Sequence, residues 1–254
     1  MTKVSFASAI LLASIIGTTA VATTAHAQDF IPGVQPATYD SHGVITFQAS
    51  TTTNPIIDPE IPTNPITVTP VDPELPPNPG TAGPLTIDFA STFQFGTQAI
   101  TSQTMNYQAA AQPTSAGDRS NFVQVTDNRG TLAGWDLKAK ATDFTVSGTT
   151  NPTGTGQTLK GAVITLGDLH HVSASDASQD AVVSAGGALT PGADLAIMNA
   201  VNGAGAGTHV ATFGTNATDT LPAVTLNVPG ATTKLAAKYV STITWTLSEL
   251  PVAP

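Results

Sequence analysis

Beyond residue 28, almost no stretch of this chain repeats its apolar residues at the three- and four-residue spacing of a helix. They come in short Thr- and Val-rich runs that alternate with polar positions and stop at Gly, Asn, Asp or Pro. The runs are 85–89, 122–127, 133–139, 159–166, 181–185, 195–199, 209–213, 224–228 and 238–247. Ala109-Ala110-Ala111 and Ala236-Ala237-Lys238 are too short to hold a helix. Regular short strands with turn residues between them predict an all-β fold, an antiparallel β-sandwich or barrel-like domain. The Gly-rich stretches 151–156 and 202–207 are expected loops. With 0 cysteines, such a domain has no disulfide to hold it and depends on burial alone.

A second constraint precedes the strands. Ten of the 19 prolines lie between Thr51 and Pro84. Proline removes an amide donor and fixes φ, so a central strand or a helix is excluded there. The stretch is expected to be a Pro-rich extended segment of polyproline type, serving as a linker or loop. It holds a quasi-repeat, Asp58-Pro59-Glu60-Ile61-Pro62 and Asp72-Pro73-Glu74-Leu75-Pro76, with four acids and no base. The expected role of these acids is a solvated, self-repelling spacer rather than a calcium site.

The first 27 residues read as a signal peptide. Lys3 is followed by an apolar run over 4–21 and by Ala25-His26-Ala27, a small-x-small cleavage site. The expected organisation is signal peptide 1–27, a lead-in with a candidate strand at 43–49 over 28–50, the Pro-rich segment 51–84 and a β domain 85–254. No later run reaches the ~18 apolar residues of a membrane span, so the mature chain is expected to be secreted without one.

Charge excludes further classes. The whole chain has a formal charge of −9, and loss of the signal removes Lys3 and no acid. A surface this acidic cannot neutralise phosphates, which excludes nucleic acid as a partner. Asp168-Leu169-His170-His171 places adjacent histidines whose side chains diverge on a strand, so a surface loop pair is expected and no metal site. No dinucleotide fingerprint and no Gly-x-Ser-x-Gly elbow occurs, so no cofactor and no catalytic residue is assigned and the chain is not expected to be an enzyme.

The two tryptophans share a context. One lies in Gly134-Trp135-Asp136-Leu137-Lys138 and the other in Tyr239-Val240-Ser241-Thr242-Ile243-Thr244-Trp245-Thr246-Leu247. Both read Trp-x-Leu, and on a strand positions i and i+2 share a face. Buried, such a pair is core; exposed, an indole stacks on a sugar face and donates its N–H. The residues leave both uses open. In the second run Tyr239, Ser241, Ile243, Trp245 and Leu247 are expected on one face. Lys138, Lys140, Lys234 and Lys238 lie near the motifs, either as a small cationic patch for carboxylates or as ordinary edge-strand lysines.

The paired Trp-x-Leu motifs resemble the WxL-domain surface proteins of Gram-positive bacteria. So do Gly83-Pro84-Leu85-Thr86-Ile87-Asp88-Phe89 with Phe95-Gly96-Thr97-Gln98 after the Pro-rich spacer, and Asn227-Val228-Pro229-Gly230. The resemblance covers roughly residues 40–254. It implies non-covalent attachment to the cell wall with peptidoglycan as ligand, at the cell surface. It also implies other cell-surface proteins, including membrane-tethered ones, as partners. The candidate ligand-binding residues are Trp135, Leu137, Tyr239, Trp245 and Leu247. The alternative is a structural interaction protein that docks on a partner surface protein holding the wall contact.

Overall fold

The computed structural model describes residues 39–147, 157–217 and 223–250. The chain divides into two compact units, residues 1–46 and 47–254. Of the first unit, residues 39–46 are described; they are exposed and form no strand. The expected strand at 43–49 is therefore absent: Val44, Ile45 and Phe47 stand in solvent, and no partner strand takes up their backbone. The expected signal peptide and the loop 151–156 lie outside the described residues.

The second unit is all-β and antiparallel. Strands β1 (Ile56–Ile57) and β2 (Pro65–Ile66) come first, then β3 (Leu85–Ala90), β4 (Met105–Gln108), β5 (Gln112–Thr114) and β6 (Gly117–Arg119). Next are β7 (Asn121–Asp127), β8 (Trp135–Ala141), β9 (Thr145–Val146), β10 (Val163–Leu166), β11 (Leu169–Ser173) and β12 (Val182–Val183). The series continues with β13 (Gly187–Leu189), β14 (Leu195–Ala200), β15 (Gly207–Phe213), β16 (Val224–Val228), β17 (Tyr239–Val240) and β18 (Ile243–Glu249). Three four-stranded sheets result, ordered β13-β10-β16-β4, β11-β15-β7-β3 and β12-β14-β8-β18.

One core joins the three sheets. It takes Val123, Val125 and Phe213 from the second sheet, Trp135, Leu137 and Ile197 from the third, and Ile164, Leu166 and Leu226 from the first. Alternation decides which side chains enter. In β8, Trp135, Leu137, Ala139 and Ala141 point inward, whereas Lys138 and Lys140 point out. Strand β7 breaks the alternation, because all seven of its residues are buried.

The Pro-rich stretch explains this. It folds back and covers the second face of β7. Ile57 and Ile66 pack with Phe89, Phe122 and Val210 in a second apolar cluster. Gln124, 0% exposed, holds the hairpin by its backbone. Its Oε1 accepts from the Ile57 N–H at 2.8 Å and its Nε2 donates to the Pro55 carbonyl at 2.8 Å. Proline removes amide donors, so the ladder between β1 and β2 is only two residues long, and a buried carboxamide ties it to β7.

The acids of the quasi-repeat are likewise not a solvated spacer. In both copies the Asp Oδ1 accepts from the Glu N–H two residues on, at 2.9 Å in the first and 3.0 Å in the second. Each turn then grips one base. Arg119 lies 2.7 Å from Asp58 and 3.6 Å from Glu60. Lys238 lies 2.8 Å from Asp72 and 2.7 Å from Glu74. Repulsion within each pair is cancelled by a cation that arrives from a distant strand or loop.

Two more expectations change. The run 238–247 is divided at Ser241-Thr242: β17 pairs with β9, and β18 pairs with β8. Thr142 causes the break, its carbonyl accepting from Ser241 Oγ and its Oγ1 from the Thr242 N–H at 2.9 Å. The histidine pair, expected in a surface loop, sits on β11, where alternation sends the two rings to opposite sides.

A candidate site where the two Trp-x-Leu strands meet

Strands β8 and β18 are neighbours. Their register sets Leu137 opposite Leu247, Trp135 opposite Glu249 and Ala139 opposite Trp245. Directly opposed residues share a face, so both motifs point to the core side of one sheet. Their burial differs because of position. β8 has β14 on one side and β18 on the other, whereas β18 ends the sheet.

Trp135 and Leu137 are accordingly both 0% exposed. The Trp135 Nε1–H donates to the Gly205 carbonyl at 3.0 Å, and its ring lies 5.6 Å from that of His209. Gly205 has φ of +90°, and a Cβ there would run into the indole nitrogen and Ala200. The loop 202–207 is thus shaped around the buried indole. These two motif residues present no surface to a ligand.

Trp245, Leu247 and Tyr239 are partly buried and pack against the core from its rim. The Trp245 ring lies 6.4 Å from Phe213. Although Tyr239 belongs to a different strand, it lines the same cleft as Trp245. That cleft measures about 1430 Å³, and the aromatic residues that line it are Phe89, Phe93, Phe95, Tyr107, Phe144, Tyr239 and Trp245. Residues 71–81 of the Pro-rich segment line it as well. The structure therefore brings Tyr239 and Trp245 together and places Trp135, Leu137 and Leu247 in or beside the packed interior.

Residues 71–81 are fastened at the cleft. Thr81 donates its N–H to the Ile87 carbonyl at 2.9 Å, and Lys238 holds Asp72 and Glu74. The hydrogen bond from Lys238 keeps the Asp72 carboxyl below the ordinary carboxylate value of 3.8. The same bond raises the lysine above its ordinary 10.5.

Lys138, Lys234 and Lys238 are engaged inside the protein, whereas Lys140 is half exposed beside an exposed Asp194. Lys138 pairs with Asp136 at 2.9 Å and Lys140 with Asp194 at 3.9 Å. Lys234 Nζ donates to the Pro229 and Thr232 carbonyls at 3.0 and 3.1 Å. Lys138 and Lys140 lie on the outward face of β8, opposite Trp135 and Leu137, so the four lysines do not form one patch at the motifs.

One cluster escaped sequence reasoning. His209 on β15 is fully buried, and its Nδ1 lies 3.0 Å from His171 Nε2, with the rings stacked at 5.3 Å. His209 Nε2 lies 3.1 Å from the Ala206 carbonyl, which can only accept. Nε2–H therefore donates there, and the neutral ring's Nδ1 accepts from His171. Burial pushes both imidazoles below 6.5. Among the described residues no group of three or more His, Asp or Glu is placed to hold a metal ion. The signals for the cleft were Phe93 and Phe95 at i and i+2 and the opposite charges of Lys238 and the Asp-Pro-Glu repeat. Spacing alone did not join them.

No helix among the described residues is long and apolar enough to cross a membrane. A family model for the WxL domain, surface cell wall-binding, matches residues 34–251. No curated protein and no solved structure matches the chain. The match covers most of the 254 residues, so the chain belongs to the WxL family of surface cell wall-binding domains.

Proposed function

We propose that the protein is secreted and attaches non-covalently to the Gram-positive cell wall by binding peptidoglycan at the aromatic cleft, with Trp245 and Tyr239 as contact residues. The observation that supports this most is the unequal burial of the two indoles. A tryptophan needed only for packing is served by the buried position of Trp135. Trp245 instead lies partly buried on an edge strand, at a cleft lined by six further aromatic residues. An indole in that setting offers a flat apolar face and an N–H donor, the combination that suits the C–H face and hydroxyls of a sugar.

Electrostatics point the same way. A chain at −9 is repelled by the anionic polymers of such walls. Attachment then rests on stacking, hydrogen bonds and shape. The role is that of a binding module, without a catalytic step. The direct test is co-sedimentation of the mature protein with purified sacculi stripped of anionic polymer. Retention in the pellet is expected; a folded protein that stays in the supernatant rejects the reading.

One observation favours a second reading. Strand β18 ends its sheet, so one backbone edge of seven residues is unpaired within that sheet. Such an edge accepts an added strand from a partner surface protein. A pull-down that recovers a surface protein, together with no retention on bare sacculi, selects this reading over the first.

A further inference from the structure

Resting on the peptidoglycan reading above, we infer that the cleft recognises the neutral glycan strand of the wall polymer and not its charged stem peptide. Three observations lead there. The first is where the cations are. Lys234 and Lys238 are the basic side chains that line the cleft, and both are spent inside the protein. Lys234 donates to the Pro229 and Thr232 carbonyls. Lys238 is held by two carboxylates at 2.8 and 2.7 Å. At Lys238 a stem-peptide carboxylate would have to displace one of those acids, and at Lys234 it would have to break the hydrogen bonds to the carbonyls, desolvating itself in either case.

The second is where the anions are. Asp72 and Glu74 line the cleft but are matched by Lys238. Asp88 also lines it, yet its carboxylate accepts from Asn54, Thr86, Gln124 and Thr126. An ammonium on a stem peptide therefore meets either acids already paired with Lys238 or a buried carboxylate whose oxygens are taken up by four donors. Every charged side chain of the wall already has its hydrogen-bond or ion-pair partners inside the protein before any ligand arrives.

The third is what remains once the ions are accounted for. Seven aromatic residues and the proline strip 71–81 line the cleft, and pyranose C–H faces are the complementary chemistry. A volume of about 1430 Å³ exceeds the ~300–1,000 Å³ of an ordinary small-molecule pocket, which suits several sugar units in a row.

The test is competition against sacculus retention of the mature protein. The two probes are a soluble β-1,4-linked N-acetylglucosamine pentamer, which has neither peptide nor carboxylate, and a free stem tetrapeptide. The expected result is release by the pentamer and none by the peptide at equal concentration. Release by the peptide alone, by both equally, or by neither overturns the inference while leaving wall binding intact. Failure of the uncompeted protein to sediment instead overturns the reading beneath it. Without competitor, a folded Trp245→Ala protein is expected to bind sacculi about tenfold more weakly, the scale of one lost aromatic contact.

Discussion

Leu137 and Leu247 stand opposite each other across the β8–β18 ladder, so the second halves of the two motifs meet as one cross-strand pair. Leu137 is 0% exposed, and Leu247 packs on the core from the rim. The motif shared by two distant segments is thus a single local structure with a buried half and an accessible half. Substitutions should divide accordingly. Trp135→Ala is expected to cost about 3–5 kcal/mol and Leu137→Ala about 2–5 kcal/mol, the range for emptying a packed site. Leu247→Ala should cost about 1 kcal/mol, because solvent already reaches the rim. Urea unfolding of the three variants gives the order, and a Leu247 variant as damaged as the Trp135 variant contradicts it.

Gly205 serves the buried indole from the other side. Its φ of +90° disfavours any side chain, and a Cβ would collide with Trp135 and Ala200. Gly205→Ala is expected to destabilise by about 2 kcal/mol or more, combining backbone strain with the collision. Gly203→Ala, with positive φ but open space around it, should cost about 1 kcal/mol. Thermal melts of the two variants distinguish fit around the indole from backbone preference alone.

The Pro-rich hairpin should behave as part of the domain. Asp58 is 1% exposed and bound through both oxygens by Arg119, at 2.7 and 2.8 Å. Arg119→Ala leaves that carboxylate buried without its cation, and a loss of about 3–5 kcal/mol is expected. Limited proteolysis should then cut within residues 55–70. A variant as stable and as resistant as the parent would mean that the hairpin is only loosely attached.

Stability should fall with acid in two stages. His171 and His209 have their proton affinity lowered from 6.5 chiefly by burial. The unfolded chain binds those protons at a higher pH than the folded one does, so stability drops as pH falls below about 6.5. Asp58 and Asp72 act lower down. Hydrogen bonds from Arg119 and Lys238 bring them below 3.8. Their contribution is complete above that value and is lost as pH falls through the folded values. Tm measured from pH 8 to pH 2 should show both declines, and His209→Gln should flatten the first. A Tm constant between pH 8 and pH 5 contradicts the role of the histidine pair.

The all-β class was legible because alternation in β8 and β16 matches a sheet with one buried face. The resemblance in the Trp-x-Leu segments located the paired strands. Other features were illegible for identifiable reasons. Strand β11 is partly buried at every position, so its residues show no alternation. The division of 238–247 depends on Thr142, about a hundred residues away. The proline stretch reads as extended by composition, while its attachment depends on Gln124, one polar residue inside a buried strand. The inequality of the two tryptophans follows from strand order, which local sequence does not encode.

The closest test of the account labels both indoles at once. Protein grown with 5-fluorotryptophan gives two 19F resonances, one each for Trp135 and Trp245, assigned by single substitution to Phe. During titration with muramidase-solubilised peptidoglycan, the Trp245 resonance is expected to shift and saturate with binding while that of Trp135 stays in place. Saturable binding that moves neither resonance, or Trp135 alone, would contradict attachment at the cleft.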